Sequence, residues 1–379
     1  MKETKTIEEC FYHIQNGANI KQGVLGGGYP ITRIETISND KFNRDKMGYA
    51  GIENLESYAS YVLEDGDLLM SHINSVQYLG RTVLYKRQGD EIIIHGMNLL
   101  RLKANGTLIN PIYARYYFSS RTFREQVRKI TKKSVNQASF SVSDLKKIKV
   151  ILPDLTKQKE IAIMLENVND LLFLHKKQIQ QFDDLIKSRF VEMFGIPGSN
   201  EKGWGISMLG KCCVLNPKKG EDKRLRSGMK VSFIPMSAIT ENGNIDVSET
   251  KLYDEVKTGF TYFSENDVLF AKITPCMENG KGAVAAGLCN GVGFGSTEFH
   301  VIRPVENVSN PYWLYHLMSF NTFRNDAAVN MTGSAGQRRV PVTFLENYKI
   351  SLPPIHLQNE FAAFVRQVDK LKFETQKCA

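Results

Sequence analysis

Residues 152–161 read LPDLTKQKEI, and residues 352–361 read LPPIHLQNEF. Each writes Leu-Pro, four spacer residues, Gln, one residue and Glu, and the second lies 200 residues after the first. Held at that offset, Asp67 matches Asp267, Ile73 matches Ile273 and Pro111 matches Pro311. Thr122-Phe123-Arg124 matches Thr322-Phe323-Arg324, and Gln137 matches Gln337. Leu145, Lys149, Gln158 and Glu160 then match Leu345, Lys349, Gln358 and Glu360. Nearer the start the register slips: YPITRI (29–34) resembles FIPMSAI (233–239), as loop insertions between equivalent elements would produce. A long period used only twice indicates duplicated domains rather than a solenoid.

Each half has the same coarse anatomy. Short β-like runs with turn signals come first, such as YVLEDGDLLMSHI (61–73) and FSENDVLFAKI (263–273). One amphipathic helix is then predicted over 111–131 and another over 311–330, each opened by proline. A polar loop follows, KKSVNQASFS (132–141) or TGSAGQRRVP (332–341), then a strand, KKIKVILP (146–153) or ENYKISLP (346–353), that ends at proline.

After that proline the period changes. From about Thr156 to Phe194, Leu165, Leu172, Ile179, Ile186 and Met193 recur every seven residues. Ile161, Val168, His175, Phe182 and Arg189 form a second seam, with His175 as a register-setting polar residue. Heptads of this kind predict a coiled-coil helix that needs a partner; at 1.5 Å per residue it is roughly 57 Å long. A long helix lying on its own domain is the alternative. The second half starts the same helix with LQNEFAAFVRQVDKLKF (357–373), but position 379 corresponds to 179, so the counterpart of residues 181–195 is absent. Either the second helix is naturally short or the reading frame closes early.

Composition sets the class of partner. With 42% apolar and 10% aromatic residues, 379 residues suit two domains with connecting elements. A formal net charge of +9 favours a polyanionic partner, nucleic acid or an anionic membrane surface, over an acidic one. The start shows no apolar core of signal-peptide length and no stretch has the length of a membrane span, so a cytoplasmic chain without membrane association is expected. The six cysteines (Cys10, Cys212, Cys213, Cys276, Cys289 and Cys378) have no CxxC spacing and read as reduced thiols. Adjacent Cys212 and Cys213, taken as strand neighbours, face opposite ways and are not expected to hold a metal.

The strand–LP–xxxxQxE–heptad order, the FVEMFG exit at 190–195 and the TGSAGQRRVP loop resemble the specificity subunit of type I restriction–modification enzymes over essentially the whole chain. The resemblance implies an α+β fold: two tandem target-recognition domains separated by long helices that pair as an antiparallel coiled coil. It places recognition domains at 1–152 and 196–352 and spacer helices at 153–195 and 353–379. It also implies double-stranded DNA as ligand, each domain reading one half of an asymmetric bipartite site. Partners would be two methyltransferase subunits and motor-nuclease restriction subunits. S-adenosylmethionine, ATP and Mg would sit in those partners, with no cofactor in this chain. The short second helix departs from the family pattern and bears on how methyltransferase subunits dock.

Candidate DNA contacts are polar and basic loop residues. Arg128, Lys132, Lys133, Asn136 and Gln137 lie on the loop after the domain helix, and Gln337, Arg338 and Arg339 occupy the matched loop beside Gly333 and Gly336. Gln pairs bidentately with adenine and Arg with guanine, so these residues can also read bases. Lys218, Lys219, Arg224 and Arg226 sit in PKKGEDKRLRSGMK (217–230), which reads equally as a solvated face. A further matched pair of turns offers His72, Asn74, Gln77 and Arg81, or Lys272, Thr274 and Lys281, to bases or phosphates; incidental polar groups on a turn are the plain alternative. The glycine run in KQGVLGGGYPITR (21–33) lacks a strand–GxGxxG–helix context and reads as a loop before a strand.

A methyltransferase in this chain would need a glycine-rich cofactor loop and an Asn/Asp-Pro-Pro-aromatic motif, and neither occurs. A nuclease needs carboxylates gathered on a metal, and Pro153-Asp154 is far from Glu221-x-Lys223. The expected role is therefore non-catalytic recognition. The alternatives are an assembly or regulatory variant that binds partner subunits without supporting modification, and a stand-alone DNA-modifying enzyme.

Overall fold

The computed structural model describes residues 3–20, 26–134, 137–334 and 336–377. The chain forms two compact units, the first ending at Leu171 and the second beginning at Leu172, inside one helix.

The first unit is built on a four-stranded antiparallel sheet in the order Phe11–Asn16, Leu99–Ala104, Leu68–Ser71 and Thr82–Leu84. Leu68–Ser71 is buried at every residue, because both faces of this strand are covered. Leu68, Met70, Leu100 and Leu102 face one core, and Leu69, Val83 and Leu99 face another with Ile37, Leu63 and Tyr85. That explains the unbroken apolar run where a one-sided sheet would alternate.

Two helices, α1 (Pro111–Ser119) and α2 (Arg121–Ile130), cover the first of these faces with Ala114, Phe118, Phe123 and Val127. One continuous helix was expected over 111–131, and the structure corrects this. Ser120 adopts φ −68° and ψ 153°, ending α1, and its hydroxyl accepts from the Phe123 N–H to cap α2. A serine that can satisfy an orphan N–H makes the break inexpensive. The strand Lys149–Leu152 pairs antiparallel with Glu3–Thr6, and α3 (Leu155–Phe194, 40 residues) follows Pro153.

The second unit repeats this plan. Its sheet runs Cys213–Leu215, Phe299–Pro304, Val268–Ala271 and Gly282–Val284, again all antiparallel. Helices α4 (Pro311–Ser319) and α5 (Asn321–Val329) break at Phe320, which takes the same extended conformation as Ser120 without a side-chain cap. Gly205–Met208 pairs with Lys349–Leu352, and α6 (Ile355–Lys377) follows. Cys212 closes a short helix and Cys213 begins a strand, so they are not strand neighbours as supposed; both are buried in the core.

Within the second unit, α6 packs antiparallel on the C-terminal part of α3. Phe361 contacts Phe190 and Phe194 with ring centroids 5.4 and 5.6 Å apart. Arg189 bonds Glu360 at 2.9 Å, and Lys372 bonds Asp183 at 2.6 Å. Ile186 is buried and Phe182 and Met193 pack against the same cluster, as the seam predicts. Farther toward the start of α3, Leu165, Val168 and Leu172 are exposed, so the seam is covered along only part of its length.

The repeated Gln of the opening motif has one role in both units. Gln158 is buried; its amide donates to the carbonyls of Leu108 and Pro153, both at 2.9 Å, and its oxygen accepts from the Asn110 N–H at 2.9 Å. Gln358, also buried, donates to Val308 at 3.1 Å and Pro353 at 2.9 Å and accepts from Asn310 at 2.9 Å.

Candidate nucleic-acid interface

In the first unit the loop after α2 is a β-hairpin, Lys132–Lys133 against Ala138–Ser139, rather than irregular chain. Its second strand also pairs with Ile73–Asn74, setting Ala138 opposite Asn74 and Ser139 opposite Ile73. The Phe140 N–H bonds the His72 carbonyl at 3.2 Å. Ala138 and Phe140 are buried in the core while Gln137 is exposed, the alternation of a half-buried strand, and Lys132 and Lys133 on the facing strand are both exposed. Two candidate segments some sixty residues apart therefore form one small surface.

The same assembly recurs in the second unit. Arg339 bridges both Ile273 and Thr332, the Thr274 N–H bonds the Arg338 carbonyl at 3.0 Å, and the Val340 N–H bonds Lys272 at 2.9 Å. Gln337 and Arg338 are exposed at the hairpin tip. Gly333, at φ 119°, lies where a Cβ would come within 2.9 Å of the Gln337 carbonyl, so this tight return needs glycine.

The sequence-predicted contacts divide by what their side chains touch. Gln77, Arg128, Lys132, Lys133, Gln137, Gln337 and Arg338 are exposed and Lys272 is half-buried; none has a side-chain ion pair among the described residues. His72 does not belong with them: it is buried beside Phe140, and desolvation pushes its imidazole down to about 4, so it stays neutral in the core. Asn74 is engaged in its own turn, donating to the Ser71 hydroxyl at 3.2 Å and accepting from the Ser75 N–H. Arg81 lies over the Tyr78 ring and bonds Asp40 at 3.2 Å.

Arg339 is likewise committed, forking onto Glu298 at 2.8 and 2.9 Å and holding that carboxyl below its ordinary range. Thr274 donates to Glu278 at 2.9 Å, and Lys281 to the Met236 carbonyl at 3.1 Å. These side chains hold the turns in shape, which alternating sequence patterns do not distinguish from outward display. Asn136 lies outside the described residues.

The basic run 217–230 is not part of the hairpin surface. Arg224 forks onto Asp222 and also donates to Ser264, while the Tyr262 hydroxyl donates to Asp222 at 2.7 Å. Arg224 holds the Asp222 carboxyl far below the usual carboxylate range. Lys219 donates to the Lys257 carbonyl, leaving Lys218 and Arg226 exposed without side-chain ion pairs among the described residues. Arg121, Arg124 and Lys129, outside the sequence-derived set, are also exposed on α2 just before the hairpin, with Arg121 paired to Glu125 at 2.8 Å. Their signal was present, since residues 121–133 carry six cations against Glu125 alone.

Among the described residues no helix is long and apolar enough to cross a membrane. The model for the type I restriction modification DNA specificity domain matches residues 2–182 and again 201–379. The chain is 29% identical over 385 residues to the type I restriction enzyme MjaX specificity subunit of Methanocaldococcus jannaschii, covering 97% of this chain and 87% of that protein. It is 40% identical over 159 residues to the EcoAI specificity subunit of Escherichia coli, covering 41% of this chain and 26% of that one. The fold is like that of the type I restriction–modification S subunit from M. genitalium, with a TM-score of 0.56 at 12% identity over 100% of this chain and 91% of that one. Two family matches, one for each turn-and-hairpin surface, establish that this chain belongs to the type I restriction modification DNA specificity family.

Proposed function

We propose that the chain is the DNA-addressing subunit of a type I restriction–modification complex, each unit reading one half of an asymmetric bipartite double-stranded site. The observation that carries this reading is the same turn-and-hairpin surface in both units, with a shared exposed glutamine (Gln137 and Gln337) but different exposed neighbours: Lys132 and Lys133 in one, Arg338 in the other. Equal scaffolds with unequal tips suit two different half-sites. Phosphate contacts come from Arg128, Lys132, Lys133, Lys218, Arg226 and Lys272, and base contacts from Gln77, Gln137, Gln337 and Arg338. The chain carries no catalytic group; two methyltransferase subunits and motor-nuclease subunits supply chemistry with S-adenosylmethionine, ATP and Mg.

Methylome sequencing of cells with and without the intact chain tests the proposal. A set of bipartite sites modified only when the chain is present is expected, and an unchanged methylome would overturn it.

A further inference from the structure

A buried polar side chain is stable only when its hydrogen bonds are complete, and an apolar residue would fill the same space without that demand. Gln158 and Gln358 meet the demand in the same way, each joining three elements at one point. The elements are the residue just after a strand (Pro153 or Pro353), the first turn of the long helix, and the N-cap of the domain helix (Asn110 or Asn310). The N-cap asparagines are fixed in turn, accepting from the Tyr113 N–H at 3.0 Å and the Tyr312 N–H at 2.9 Å. Each long helix is therefore rooted by directional bonds to a helix that lies on its unit's core. Apolar packing alone resists separation but tolerates sliding and tilting; three convergent hydrogen bonds fix an angle.

The length of α3 makes that angle consequential. A 40-residue helix is about 60 Å long, so a tilt of about 5° at its root moves the far end by about 5 Å, more than the roughly 3.4 Å between successive base pairs. We propose that Gln158 and Gln358 are positioning residues that set the allowed spacing between half-sites, by fixing the angle at which each recognition domain is held on its helix. This inference rests on the bipartite reading above. It assigns neither glutamine a contact with DNA.

The test uses the full chain with its modification partners. Methylomes are compared for the wild type, Gln158→Met, Gln358→Met and the double variant, with modified sites sorted by half-site sequence and by spacer length. The expected result is unchanged half-sites, with sites one base pair longer or shorter gaining modification about tenfold relative to the wild type. An unchanged spacer distribution, at full or at reduced modification, overturns the proposal, because a merely structural glutamine lowers yield without altering spacing. If Gln158→Met does not fold, Gln158→Glu keeps the acceptor for Asn110 and removes both donated bonds, and is read the same way. The joint is also read without DNA, from the distance distribution between spin labels at exposed Lys129 and Asn169. Broadening in the variants supports the proposal, and wild-type width overturns it. A wild-type chain that directs no bipartite modification would sink the functional reading alone and leave the label distances to decide the lock.

Discussion

The two units share one sheet and differ in the other. Their four-stranded antiparallel sheets have the same order, with Leu68–Ser71 and Val268–Ala271 starting 200 residues apart. The second unit adds a four-stranded sheet in the order Thr250–Leu252, Lys230–Ile234, Val292–Gly295 and Thr261–Ser264, with a parallel pair at its centre. In the first unit the same layout is reduced to Pro30–Ile31 against Gly48–Tyr49, with single bridges from Ile94 to Ile31 and Val62. The shared sheet carries the turn, the hairpin root and the domain helices. The variable sheet carries the basic run 217–230 in one unit only. Duplication has kept what holds the surface and varied what flanks it.

A buried ion pair gives the widest contrast. Asp67 meets Arg101 at 2.7 Å with both side chains nearly inaccessible, whereas Asp267 meets Arg303, whose side chain is 30% exposed. Arg303 corresponds in the repeat to Lys103, two residues along the same strand face from Arg101, so the second unit reaches the equivalent carboxylate from the neighbouring position. Arg101→Met would strand a buried carboxylate and is expected to cost the first unit about 3–5 kcal/mol in denaturant unfolding. Arg303→Met strands a carboxylate as buried as Asp67, but beside a position that solvent already reaches, and should cost less. Equal losses would break the contrast.

Acid should sharpen it next. The unfolded chain takes up a proton at His72 near 6.5, but the folded unit holds that imidazole down to about 4. The unfolded state therefore binds more protons between these values, and stability is full above about 6.5 and declines as pH falls toward about 4. Lys272 occupies the equivalent position in the second unit, where burial lowers His300 instead, beneath the hairpin at Val340. His72→Gln should reduce, without abolishing, the pH dependence of the first unit's unfolding midpoint, because buried His95 in the same unit is also held down, to about 3, and it should leave the second unit's unchanged.

Much of this was legible in the sequence because the repeat tests each reading twice. The offset of 200 located equivalent elements, and the heptads gave the bounds of α3 to within a residue. What was not legible was direction. The alternation in KKSVNQASFS is short enough to pass for a loop, and its pairing with Ile73–Asn74 depends on a contact distant in sequence. His72 sits one residue before a half-exposed strand and reads as polar surface until the core around it is seen. The helix breaks at Ser120 and Phe320 were hidden because apolar periodicity continues across them.

The readers should then separate by half-site. Arg338→Ala is expected to weaken recognition of one half-site by about 1–3 kcal/mol, with the other unaffected, in binding to duplexes altered in one half at a time. Equal loss on both halves would show that the residue contacts backbone rather than bases.

The smallest effect tests the most deceptive match. Thr-Phe-Arg at 122–124 and 322–324 are identical, yet Arg324 is buried and Arg124 is exposed. Arg324 donates to the Met277 carbonyl at 2.6 Å and the Gly280 carbonyl at 3.0 Å, tying down the turn that carries Thr274 and Lys281. Its burial draws the guanidinium down to about 10, and Phe270 lies beneath it. In the first unit the equivalent side chain is exposed, has no side-chain bond to the matched turn among the described residues, and lies with the cations of α2 and the hairpin. Arg324→Ala should therefore destabilise its unit by about 2–3 kcal/mol, the scale of charged hydrogen bonds lost from a buried site. Arg124→Ala should change stability by less than about 0.5 kcal/mol. It should instead reduce the slope of log affinity against log salt by about one on any duplex sequence, as the loss of one phosphate contact does. A salt slope that responds to Arg324 and not to Arg124 would mean that identical letters had been assigned to the wrong faces.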